Sequence, residues 1–186
     1  MLSEEEGKFL VNLARRAITT YLTEGEIIKI PENVNPKMKQ NMGVFVTLNK
    51  ENNLRGCIGY PEPVMPLINA VVDAAISASI RDPRFNPVTP EELDTIQVEV
   101  SVLTKPELIH VDDPIEYLDN IIIGEDGLII ENGPYRGLLL PQVAIDWGWN
   151  KEEFLSNTCT KAGLSPSCWM NDDVMIYKFS SEIFEE

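Results

Sequence analysis

The chain has 186 residues, 44% of them apolar and 24% charged, with 30 acidic against 15 basic side chains and a net charge of −15 at pH 7. That length supports one large domain or two small lobes with a real core. The acidity opposes non-specific attraction to phosphate backbones and anionic membranes, unless a local basic cleft overrides it.

Two further features bear on location. The opening residues MLSEEEGKF lack the basic and apolar regions of a signal peptide, and no apolar run approaches the ~20 residues that span a bilayer. Three cysteines, Cys57, Cys159 and Cys168, are odd in number, far apart and without CxxC spacing, which points to a reducing cytosol rather than a disulfide framework. The expectation is a cytoplasmic protein with no membrane partner.

In chain order, Ser3 and Glu6 form a capping box for a helix whose apolar positions Phe9, Leu10, Leu13, Ala17, Ile18 and Tyr21 recur at helical spacing until Gly25. A Pro/Asn loop covers 30–43. A hairpin follows, with strands over 44–48 and 54–59 and a polar turn between them. Residues 66–80 read as a helix with Pro66 in its first turn and Ala/Ser side chains small enough for close packing. Thr89 caps a short helix, and Ile96, Val98, Val100 and Val102 share one face of the next strand. Asp112–Leu118 repeats the Asp-Pro-x-Glu capping logic. Short strands are predicted at 121–123, 128–130 and 137–140. Asn150 and Glu153 cap a helix over 151–162 that Gly163 stops, and DDVMIYKF closes the chain as a strand. Hairpins dominate a mixed order of about seven strands. The fold class is therefore α+β, with mixed or antiparallel sheets and flanking helices. No linker divides it, so 1–186 is treated as one domain of intertwined lobes.

The stretch NNLRGCIGYPEP carries the candidate site. Alternation puts Arg55 and Cys57 on one face of the strand, while Gly56 and Gly59 remove bulk beside the thiol. A nearby guanidinium favours the thiolate, which is the nucleophile and metal ligand. Equally, a lone cysteine is commonly a small buried hydrophobe, and Arg55 has many acids to pair with. Arg81 and Arg84 in RDPRFNP add two guanidinium groups suited to a carboxylate or phosphate, although a helix C-terminus also favours cations and Asp82 neutralises locally. His110 is the one histidine, and nothing in the sequence brings it near Cys57. Lys161 fits a helix dipole, and the tryptophans of DWGW with Trp169 read as core or lobe-interface anchors. The pairs Asp112/Asp113 and Asp172/Asp173 read as turns or caps. The chain lacks a calcium-loop pattern or a recognised zinc ligand set, so no metal or cofactor is expected.

The blocks GVFVTL…LRGCIGY, RDPRFNPVTPEEL…VEVSVL and GLLLPQVA…W…FL…C.KAGL…W, in that order, resemble the AMMECR family from about Ser3 to Lys178. The resemblance implies a two-lobed α+β fold with a groove between the lobes. Roles proposed for the family are RNA modification or basic information processing, and the resemblance suggests association, sometimes by fusion, with Memo-type and radical-SAM proteins. Lacking a radical-SAM cysteine triad, this chain would be the component without the cofactor.

Two functions are expected from these residues. One is an enzyme or enzyme component handling a small anionic substrate, with Cys57 as reactive or contact thiol and Arg55 tuning it. Gly56 and Gly59 would then give room, and Arg81 and Arg84 would orient the substrate. The other is a binding or adaptor module in which RGCIG is a packing hinge and the partner is a protein or, against the net charge, RNA.

Overall fold

The computed structural model describes residues 2–186, which form two compact units, 2–103 with 182–186 and 104–181. The class is α+β. The strand pairs described below are all antiparallel, and two of them are joined by tight hairpins.

The first unit is built on helix α1 (Glu4–Glu24), strands β1 (Val44–Lys50) and β2 (Asn53–Tyr60), helix α2 (Leu67–Ile80) and strand β3 (Ile96–Leu103). Ser3 and Glu6 close the expected capping box, and Gly25, at φ 74°, ends α1 in the left-handed region. Glu51 and Asn52 both take positive φ in the two-residue turn joining β1 to β2, matching the right-handed twist of the strands. In sheet order β1 lies between β2 and β3. Val44, Val46, Leu48, Val98, Val100 and Val102 face the core with α1 and α2. α2 is buried on most of its surface, so its Ala/Ser composition serves packing on several sides.

The second unit holds β4 (Glu107–Leu108), α3 (Tyr117–Asn120), β5 (Asp126–Asn132), β6 (Tyr135–Leu139), α4 (Pro141–Asp146), α5 (Lys151–Lys161) and most of β7 (Met175–Glu185), whose last residues belong to the first unit. β7 pairs with β4 on one side and β5 on the other, and β5 pairs with β6. Phe154, Leu155 and Cys159 of α5 pack with Leu128, Ile130 and Ile176.

Three expectations are corrected. Residues 121–123 are not a strand: Asp126 accepts the Ile122 N–H at 2.8 Å and donates its own N–H to the Ile122 carbonyl, closing a turn where a ladder was expected. Trp147 is not an interior anchor but 71% exposed, whereas Trp169 is buried. Cys159 and Cys168 are not thiols but a disulfide, with Cα atoms 5.8 Å apart. The turn after α5, closed by the Leu164 N–H on the Cys159 carbonyl at 3.0 Å, brings the chain back so that the two sulfurs meet. Cysteine usage therefore gives no ground for a reducing compartment. Among the described residues no helix is long and apolar enough to cross a membrane.

Candidate functional site

Each residue singled out in RGCIG has a defined place in the first unit. β2 is an edge strand, and unpaired strand edges invite association unless covered. Here the segment following α2 covers it. The Cys57 N–H donates to Asp82 Oδ2 at 2.9 Å, and Arg84 Nη2 donates to the Cys57 carbonyl at 3.3 Å. Asp82 is buried and grips Arg84 through a fork, Nε to Oδ1 at 2.9 Å and Nη2 to Oδ2 at 2.7 Å. The Arg84 guanidinium, helped by the backbone N–H groups of Cys57 and Arg84, holds the Asp82 carboxyl far below the usual range against the cost of burial.

Arg55, expected to tune the thiol, is paired elsewhere. The register slips at Leu48/Asn49, so that Leu48 faces Gly56 while Asn49 faces Leu54, leaving Arg55 in a bulge. Its guanidinium makes a bidentate pair with Glu92, at 3.1 and 2.9 Å, and donates to the carbonyls of Asn86 and Pro87. Hydrogen bonds from Arg55 and Lys50 lower Glu92 to about 2. The cation felt at Cys57 is Arg84. Arg81 donates to the Ser77 hydroxyl at 3.4 Å and lies by Tyr60, whose phenol is bonded to Asp73. Hence Arg55 and Arg84 meet on one segment, already matched with carboxylates, and Arg81 does not join their hydrogen-bond network.

The glycines make room for the protein itself. A Cβ on Gly56 would lie 2.2 Å from the Ala78 carbonyl oxygen, so the end of α2 can approach β2 only because that position is glycine. A Cβ on Gly59 would lie 2.3 Å from the Val44 carbonyl oxygen and 2.5 Å from the Phe45 ring.

What the register assembles instead is a row across three strands, on the sheet face opposite the helices. Cys57 stands opposite Thr47, and Thr47 opposite Glu99. Thr47 Oγ1 donates to Cys57 Sγ at 3.4 Å, and Ser101 Oγ donates to Glu99 Oε1 at 3.3 Å. All three members of the row are half-buried. Burial pushes the Cys57 thiol up; the Thr47 hydrogen bond and Arg84 pull it down, while the charges of Asp82 and Glu99 add to the rise. Burial likewise raises Glu99, helped by Glu185 and opposed by Ser101. Beside Glu99 a cavity of about 140 Å³ is lined by Asn49, Gln97, Val98, Glu185 and Glu186. The row can donate or hold protons for a small polar molecule. Thr47 and Glu99 went unnoticed in the sequence because only strand pairing places them next to Cys57.

His110 is exposed in the second unit, while Cys57 belongs to the first. The acidic pairs act locally: Asp113 caps the Ile115 N–H, and Asp173 accepts from Asn132. Among the described residues no group of three or more His, Cys, Asp and Glu side chains could hold a metal ion.

Known proteins share this chain's sequence and fold. The AMMECR1 family model matches residues 11–184, and the chain belongs to that family. It is 56% identical over 185 residues to a protein from Methanothermobacter thermautotrophicus, covering 100% of this chain and 96% of the relative. Protein PF1979 of Pyrococcus furiosus is 55% identical over 190 residues, with 100% and 90% covered. The crystal structure of uncharacterized protein PH0010 from Pyrococcus horikoshii superposes with a TM-score of 0.87 at 54% identity, covering 100% of this chain and 93% of that one.

Proposed function

We propose that this AMMECR1-family chain is an enzyme, or the component of one, that binds a small polar molecule on the Cys57–Thr47–Glu99 face and moves a proton there. Cys57 is the contact thiol, and Glu99 is the acid–base group. One observation carries the reading. Two titratable groups flank Thr47 in register on one sheet face, and burial raises the pKa of each. Perturbed titrating groups beside a polar cavity are candidates for proton chemistry, and Glu99 lines one here.

The proposed substrate is neutral or cationic rather than anionic. An anionic substrate was expected from Arg55, Arg81 and Arg84, but Glu92 and Asp82 neutralise two of them and Glu185 and Glu186 line the cavity. A neutral or cationic polar molecule suits this field better. A place beside Memo-type and radical-SAM proteins, implied by the resemblance, is compatible with such a role.

The second reading is a binding or adaptor module. It is favoured by Gly56, Gly59, Arg55 and Arg84 all having partners inside the fold. Thermal shift against a panel of small polar metabolites separates the two. A compound that raises Tm in the wild type but not in Glu99→Gln or Cys57→Ala supports the first reading. Ligands that stabilise all three alike, or none at all, would remove it.

A further inference from the structure

The second unit carries an apolar surface that its own fold leaves uncovered. α4 ends at Asp146, and the chain continues through Trp147 and the left-handed Gly148 to Trp149. The Trp149 ring packs against the core, and Trp147 stacks on it at 6.0 Å between centroids and 17° between planes. The outer ring is left 71% exposed. Ile145, 61% exposed, sits over Gly124, where a Cβ would come within 2.6 Å of its Cδ1. Ile122, in the same turn, is 52% exposed. Large apolar side chains gathered at one short helix and one turn mark an interaction surface, and tryptophan is the residue type most enriched at binding hot spots.

The charge around these side chains says what covers them. Glu125, Asp146 and Glu152 are exposed beside them in sequence, and Lys151 spends its ammonium on the Leu118 carbonyl at 2.6 Å. The second unit as a whole has 13 acidic against 5 basic side chains. A cation laid on the free face of Trp147 would meet both the ring quadrupole and these carboxylates, whereas an acidic segment would be repelled.

We infer that the Trp147 surface docks a basic segment of another protein, with an Arg or Lys on the indole face and an aliphatic side chain against Ile145 and Ile122. Trp147 is 71% exposed, so Trp147→Ala should keep the fold, which its circular dichroism and melting curve check.

The test pans a phage library of random dodecapeptides against the full chain. Enriched peptides are then measured on the wild type, Trp147→Ala, the double variant Glu125→Lys/Asp146→Lys, and Glu91→Lys as a charge control in the first unit. Enriched sequences should pair Arg or Lys with aliphatic residues, bind Trp147→Ala about tenfold more weakly, and lose about three- to fivefold in the double variant. Glu91→Lys should change little. The inference is overturned by no enrichment, by acidic consensus sequences, or by peptides that bind Trp147→Ala as tightly as wild type. Equal losses in Glu91→Lys would mean non-specific charge attraction and overturn it too. So would sedimentation showing a wild-type dimer that Trp147→Ala dissociates, since a second copy would then be the occupant.

Discussion

The buried Asp82 carboxylate accepts the backbone N–H of Cys57 at 2.9 Å while holding Arg84, whose guanidinium donates to the Cys57 carbonyl at 3.3 Å. Between them the two side chains stand in for a neighbouring strand along the edge of β2. RGCIG and RDPRF are thus two halves of one joint. Replacing Asp82 by Asn removes the charge but keeps the shape, and leaves Arg84 without its counter-ion. Chemical denaturation should show a loss of about 2–4 kcal/mol. A loss below ~0.5 kcal/mol would mean that the joint adds little.

Gly56 is set by contact with backbone, which cannot rotate away. Gly56→Ala forces its methyl group onto the Ala78 carbonyl and should cost about 3 kcal/mol or more. Melting curves of the purified variant, or its failure to accumulate as folded protein, read the effect. A variant as stable as wild type would show that α2 can shift.

Glu92 gives a pH signature. Its folded value of about 2 lies below its ordinary 4.5, so the carboxylate adds stability that is fully present above ~4.5 and is lost as pH falls towards 2. Screening at this partly solvated site limits the contribution to about 1–2 kcal/mol. Glu92→Gln should be less stable than wild type at neutral pH, with the gap closing between pH 4.5 and 2. Parallel stability curves would contradict the Arg55–Glu92 pair.

Much of this fold is legible in the residue order. The capping boxes at Ser3 and Asn150, the stop at Gly25 and the alternation of Ile96, Val98, Val100 and Val102 are local signals, and local physics decides them. The candidate site is less legible because strand register makes it. Arg55 and Cys57 share a face only in an unbroken strand, and the slip at Leu48/Asn49 has no signature in sequence. Glu99 stands 42 positions from Cys57 and meets the thiol's row only through Thr47. The disulfide was hidden for a similar reason: nine residues of separation are bridged by a turn that spacing does not reveal.

That disulfide can be counted directly. Thiol titration of unfolded, unreduced protein should find one thiol, Cys57, and three after reduction. Closing so short a loop stabilises by about 2–3 kcal/mol, so Cys159→Ala/Cys168→Ala should lose that much in urea unfolding. Three thiols without reductant would contradict the bond.

On the proposed reading Cys57 and Glu99 work on one sheet face, where the Glu99 charge bears on the Cys57 thiol. The most direct measurement is the rate of Cys57 alkylation in the folded protein as a function of pH, in wild type and Glu99→Gln. Cys57 should titrate above the ~8.5 of a free thiol. Glu99→Gln should move that titration down, because removing a neighbouring negative charge favours the thiolate. A wild-type thiol titrating below ~8.5, or a profile that Glu99→Gln leaves in place, would contradict the account.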